Sequence, residues 1–193
     1  FALEDIDITS LLFQTGYITI KAYNRERRRY AMSYPNTEVR IAFMQNLLEA
    51  FSYKKISETD KIIWKIEETL INKDVKTFIE LLKTLFASIP HDIFIKDREA
   101  YYHSIIYLAL SLLGLDIQAE VHTNRGSLDA VIETKDRVYI MEFKLGKAEA
   151  AMKQIKEKKY FEKYQAKKNK IMLLGIGFNV EERNINEWLI EEV

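Results

Sequence analysis

Cysteine is absent from the 193 residues, which excludes thiolate metal sites, cysteine nucleophiles and disulfides, and fits a reducing compartment. Proline occurs only twice and glycine six times, too few for a disordered or collagen-like chain. Neither sign of charge is in excess: 29 Lys+Arg face 29 Asp+Glu, so any signal for a nucleic-acid or membrane partner must be local. No apolar run reaches the ~18 residues of a membrane span and no basic-then-apolar leader is present, so a cytoplasmic protein without a membrane partner is expected. The glycines form no Gly-x-x-x-x-Gly-Lys-Ser/Thr phosphate loop. Because the sequence opens on Phe1 rather than Met, a longer protein is expected.

What is present is a chain 48% hydrophobic and 30% charged, long enough for one large or two small domains with a genuine core. Alternation over residues 16–23 and a short β-like run at 30–34 flank a charged tip, which predicts a hairpin resembling the wing of a winged helix. Pro35-Asn36-Thr37-Glu38 carries helix-start signals, and Val39, Phe43, Leu47 and Phe51 follow at helical spacing. Two more helices are predicted over 58–72 and 74–88. At Ile89-Pro90 the pattern changes to alternating helices and strands, so a helical segment with a hairpin is expected over 1–88 and an α/β domain over 89–193. In that second part the pattern predicts a helix at 97–113, with Asp97 as N-cap and Gly114 as terminator, and strands at 115–122, 127–133 and 137–145. A long lysine-rich helix over 147–164, an apolar strand over 170–178 and a final element over 185–193, strand or helix, complete it.

A hairpin closing about Lys135-Asp136 puts Asp129 opposite Glu142, where Cβ atoms lie only ~4.5–5.5 Å apart. Lys144, two residues on, shares the face of Glu142. Both faces of this ribbon are otherwise apolar, as in a sheet covered on both sides. Two carboxylates in such a place repel and are costly to desolvate unless a cation lies between them or one is protonated. Lys144 compensates one, and a hard divalent ion such as Mg²⁺, which takes one or two carboxylates plus water and phosphate oxygens, would serve the other. Metal-assisted phosphodiester hydrolysis is the reaction this chemistry suggests. Glu-x-Lys alone says little, since Glu133-Thr-Lys135 and Glu157-Lys-Lys159 also fit. The bland alternative is an edge strand whose charges form a solvated pair that discourages edge pairing.

Helix with Glu99, strand with Asp129, strand with Glu142-Phe-Lys144 and helix with Gln154 together resemble the PD-(D/E)xK nuclease superfamily. More narrowly, Leu85-Phe-Ala-Ser-Ile-Pro90, Glu99-Ala-Tyr-Tyr-His103, Gly126-Ser-Leu-Asp129, Tyr139-Ile-Met-Glu-Phe-Lys144 and Gln154-Ile-Lys-Glu-Lys-Lys-Tyr160 resemble the C-terminal nuclease-like part of bacterial proteins with an AAA-ATPase-like domain upstream. The resemblance implies a restriction-endonuclease-like core, a mixed sheet flanked by helices. It implies Asp129 and Glu142 as ligands of Mg²⁺ or Mn²⁺, Lys144 as the catalytic lysine, Glu99 as a helical acid supporting the metal or its waters, and Gln154 as an accessory residue near the scissile phosphate. Departures are Leu128 where the superfamily often has proline, and Gly126-Ser127 where relatives commonly have Gly-Arg. The implied activity is hydrolysis of DNA; the alternatives are a module that binds nucleic acid or regulates the ATPase-like partner without cutting, and a structural interaction domain.

Three further features have bland and functional readings. Glu99 and His103 sit at i and i+4 on one helix face, where a hydrogen-bonded histidine is commoner than a ligand. From 147 to 170, nine lysines face Glu149, Glu157 and Glu162, a phosphate-binding surface or a solvated helix face. Lys21, Arg25, Arg27, Arg28 and Arg29 decorate the first hairpin beside Tyr17, Tyr23, Tyr30 and Tyr34, and either dock DNA or pack on a neighbouring domain. His91 and His122 have no assignable partner in the sequence.

Overall fold

The computed structural model describes residues 7–52, 56–89, 99–112, 116–123, 126–167 and 169–193. They divide into two compact units, Phe1–Leu47 and Leu48–Val193, with the division inside a helix.

In the first unit, Asp7 accepts the Ser10 N–H and caps α1 (Ile8–Gln14), a short helix that the sequence pattern does not announce. The expected hairpin follows as β1 (Thr19–Asn24) and β2 (Arg29–Ser33), antiparallel with a bulge between Ile20 and Ala22. Its tip is closed by the Asn24 side chain, which accepts the Arg27 N–H, and by Arg28 in the left-handed region at φ 48°. Asn36 accepts the Val39 N–H at 2.8 Å and so starts α2 (Thr37–Ser52) where the helix signals placed it.

The second unit begins inside α2 at Leu48 and continues with α3 (Ile56–Ile71) and α4 (Val75–Ala87), the latter capped by Asp74 and burying Val75, Phe78, Ile79, Leu82, Leu85 and Phe86. The pattern change at Ile89-Pro90 falls inside this unit: the Tyr139 hydroxyl donates to Leu70 O at 3.0 Å and the Asn184 amide to Lys83 O at 3.1 Å, tying both helices to the sheet. Next come α5 (Glu99–Ser111), β3 (Asp116–Thr123), β4 (Gly126–Glu133) and β5 (Arg137–Leu145), then α6 (Ala148–Lys158), β6 (Lys170–Asn179) and β7 (Asn184–Glu192). The expected caps Asp97 and Gly114 lie outside the described residues.

The strands form one sheet in the order β3-β4-β5-β6-β7, antiparallel except for β5 and β6. A parallel neighbour needs a crossover, and α6 supplies it. On its side Val138, Ile140, Ile171 and Leu173 pack with Met152, Ile155, Tyr160 and Tyr164. The other side carries an aromatic group in which Phe178 lies 4.7 Å from Tyr102 of α5 and 5.0 Å from Phe86 of α4. Helices therefore flank both faces, and β5 is buried from Val138 to Phe143. One expectation is corrected and one left open is decided. The helix over 147–164 ends at Lys158, because Lys159 turns left-handed at φ 50° and a 3₁₀ turn, Tyr160–Tyr164, brings both tyrosines into the core. The undecided last element is a strand.

The N-terminus of α6 touches β6 backbone to backbone. A Cβ on Gly177 would stand 2.4 Å from Gly146 O and one on Gly175 2.8 Å from Ala148 O, so only glycine permits this approach. Glu187 of β7 accepts the Ala148 N–H at 2.7 Å, a carboxylate placed at a helix N-terminus. Among the described residues no helix is long and apolar enough to cross a membrane.

Candidate active site

The turn about Lys135-Asp136 sets the β4–β5 register as expected, from Glu133↔Val138 to Ala130↔Met141. One step further the ladder stops, so Asp129 and Glu142 are not a ladder pair. Asp129 Oδ2 instead accepts the Phe143 N–H at 2.8 Å, taking up a donor that the ended ladder no longer satisfies. Its other oxygen lies 3.5 Å from His103 Nδ1 on α5. Two carboxylates held face to face would repel; separation at the ladder's end relieves this while keeping Asp129 close enough for its charge to act on Glu142.

Glu142 continues the row of Val138 and Ile140 toward α6 and is 1% exposed. Burial, then the charge of Asp129, push its carboxyl up to about 7, against the opposing pull of Lys144. The Lys144 ammonium lies 3.4 Å from Glu142 Oε1, and the Gln154 amide of α6 donates to the same oxygen. Glu142 Oε2 is buried and has no hydrogen-bond partner among the described residues. The edge-strand alternative fails on topology: β5 is the third of five strands, between β4 and β6. A carboxylate at such a place is costly unless something compensates it.

Asp129, Glu142, Lys144 and Gln154 thus gather at one end of the β4–β5 pair. Glu99 opens α5, one turn before His103, but its side chain lies outside the described residues, as do His91 and the side chain of His122. Among the described residues no group of three or more His, Cys, Asp or Glu side chains is placed to hold a metal. Sequence reasoning assigned no role to Tyr160, yet it belongs here. Its phenol pKa is raised by burial, with a hydrogen bond to Gln154 opposing and the charges of Glu142 and Asp129 adding to the rise. A Cβ on Gly126, at the start of the Asp129 strand, would meet the Tyr160 hydroxyl at 3.0 Å. The signal that could have found it is a polar-tipped aromatic at the end of the helix that carries Gln154.

Residues 97–188 match the family model of the PD-(D/E)XK nuclease superfamily, which supports that superfamily for this segment and a restriction-endonuclease-like fold for the mixed sheet and its flanking helices. Over its whole length the chain is 33% identical to the "Uncharacterized protein in vnfD 5'region" of Azotobacter chroococcum mcd 1, and it spans 39% of that protein's length. No solved structure matches the chain.

Proposed function

We propose that the second unit is a divalent-metal-dependent nuclease that hydrolyses phosphodiester bonds in DNA, with Asp129, Glu142, Lys144 and Gln154 as its working residues and Glu99 as a further acid near the metal. The observation that carries this reading is the buried Glu142, with one carboxylate oxygen that has no hydrogen-bond partner among the described residues and a second carboxylate nearby. Oxygen donors of this kind fit Mg²⁺ or Mn²⁺, which need only one or two carboxylates and complete their shell with water and phosphate oxygens. When bound, such an ion lowers the pKa of a water and offsets charge on a phosphoryl oxygen.

The chain's own residues divide the remaining work. Asp129 is held by the Phe143 N–H, which fixes its other oxygen near His103. Lys144 opposes the burial that favours the protonated form of Glu142, and it presents an ammonium where negative charge grows on the phosphate in the transition state. Gln154 clamps Glu142 from α6, and Tyr160 braces Gln154. The proposal includes an AAA-ATPase-like domain upstream in the same protein, supported by the sequence resemblance and by the length of the Azotobacter relative beyond the matched part.

The test is cleavage of linear and circular DNA, with RNA alongside, in Mg²⁺ and Mn²⁺. The wild type should cut, EDTA should abolish cutting, and Lys144→Ala should lower the rate by about 10²-fold or more. Cutting by Lys144→Ala at the wild-type rate, or none by either, sinks the nuclease reading. Salt-dependent DNA binding without turnover would return the non-cleaving alternative.

A further inference from the structure

The first unit carries a surface that the nuclease reading does not use. The β1–β2 hairpin places Lys21, Arg25, Arg27, Arg28 and Arg29 against the single acid Glu26, all exposed. Lys21 reaches back to Pro35 O at 3.1 Å. Among the described residues no ion pair engages any of the four arginines. Below the tip Tyr23 and Tyr30 face each other across the strands, stacked at 4.6 Å with 29° between their planes, and they are 47% and 61% exposed. Ile20, 45% exposed, extends the same face.

The lysine-rich stretch offers an instructive contrast. Lys156 pairs with Glu191, Lys167 with Glu133 and Lys170 with Glu192, while Lys153 and Lys159 meet Glu157 and Glu162. Acids distant in sequence thus absorb much of that positive charge. The hairpin has one acid of its own and keeps its surplus.

We propose that the β1–β2 hairpin holds a single nucleic-acid strand, its arginines taking backbone phosphates and the exposed ring of Tyr30, backed by Tyr23, stacking an unpaired base. Only the choice of ligand class rests on the nuclease reading; the surface itself does not. Planar guanidinium groups fork onto phosphate oxygens, which a solubilising role would not require. A flat aromatic face beside cations binds bases irrespective of sequence, because every base offers a π-face. A cross-strand tyrosine pair also stabilises the ribbon, but that needs no arginines and no open ring face. Charge complementarity favours a polyanion here over an apolar protein partner.

Binding is separable from cutting in the full chain carrying Lys144→Ala, kept in EDTA. The probes are a fluorescein-labelled oligothymidine and a mixed duplex, each of about 20 nucleotides per strand, followed by anisotropy between roughly 50 and 200 mM KCl. Replacing Arg25, Arg27 and Arg29 together by Gln should weaken binding of the single strand at least about tenfold. It should also flatten the log K against log salt slope by about 2, since each phosphate contact on a single strand contributes ~0.7. Tyr30→Ala alone should weaken the oligothymidine about tenfold, the duplex less, and leave the salt slope unchanged. These side chains are exposed, so circular dichroism should match the parent's, and the two variants test independent halves of the proposal.

Equal affinity and slope in the triple variant, or no salt-dependent binding by the parent, overturns the proposal and hands the hairpin to a protein partner. Nuclease activity is scored separately with Lys144 intact. A chain that binds through the hairpin and never cuts sinks the nuclease reading alone. One that cuts while the triple variant binds as tightly as its parent sinks the hairpin reading alone.

Discussion

Ionising Glu142 in the metal-free protein costs stability, and the cost has a definite pH window. Its carboxyl is raised from 4.5 to about 7, first by burial and then by Asp129, with Lys144 opposing. One pKa unit is worth ~1.4 kcal/mol, so the shift amounts to about 3 kcal/mol between the fully protonated and fully ionised limits. The folded state holds this proton more tightly than the unfolded chain. The stabilising contribution is therefore complete below pH ~4.5 and is lost as pH rises through ~7. Glu142→Gln keeps the shape and an acceptor for Gln154 but removes the charge, forfeiting only the attraction of Lys144. At about pH 8 in EDTA the variant should be more stable than the wild type by about 1–3 kcal/mol, and near pH 5 the difference should shrink toward zero. Urea denaturation followed by tryptophan fluorescence is suited to this measurement, because Trp64 and Trp188 are the chain's two tryptophans and both lie in the second unit. Mg²⁺ added at about pH 8 should raise wild-type stability and leave the variant unmoved, since a ligand stabilises only the state that binds it. A stability gap of the same size at both pH values would refute the reasoning, for then no ionisation separates the two proteins.

Two further outcomes follow from the packing around this end of the sheet. Gly177→Ala puts a Cβ 2.4 Å from Gly146 O and 2.8 Å from the Ala148 N, both backbone, and should cost more than about 2 kcal/mol in urea denaturation. It should also lower cleavage, because α6 carries Gln154 onto Glu142. Tyr139→Phe removes the hydroxyl that donates to Leu70 O and should cost about 1 kcal/mol by the same measurement, with cleavage unchanged because the ring faces away from Glu142.

What could be read in advance is what short-range rules control. A three-residue turn and strict alternation set the β4–β5 register, and with it the approach of both Asp129 and Lys144 to Glu142. The end of that ladder was not legible, because it depends on whether two carboxylates tolerate facing each other, a balance of repulsion and burial that no spacing encodes. Nor was the break at Lys159: its flanking residues suit a helix, and the gain comes from Tyr160 and Tyr164 entering a core built by β5 and β6. The lysine-rich stretch misleads for a related reason, its partners Glu133, Glu191 and Glu192 being brought to it by the fold.

The place of Glu142 in the sheet connects these points. Edge strands can carry charge at little cost, since water reaches them. A middle strand cannot, and β5 keeps Tyr139, Ile140, Met141 and Glu142 almost wholly from solvent. The Lys144 ammonium and the Gln154 amide both engage Oε1, while Oε2 has no hydrogen-bond partner among the described residues. A structural ion pair would be better satisfied by closing over both oxygens, as buried pairs must to offset desolvation. A buried oxygen left this way near a second carboxylate is what the proposed cation site requires and what a purely structural pair would avoid.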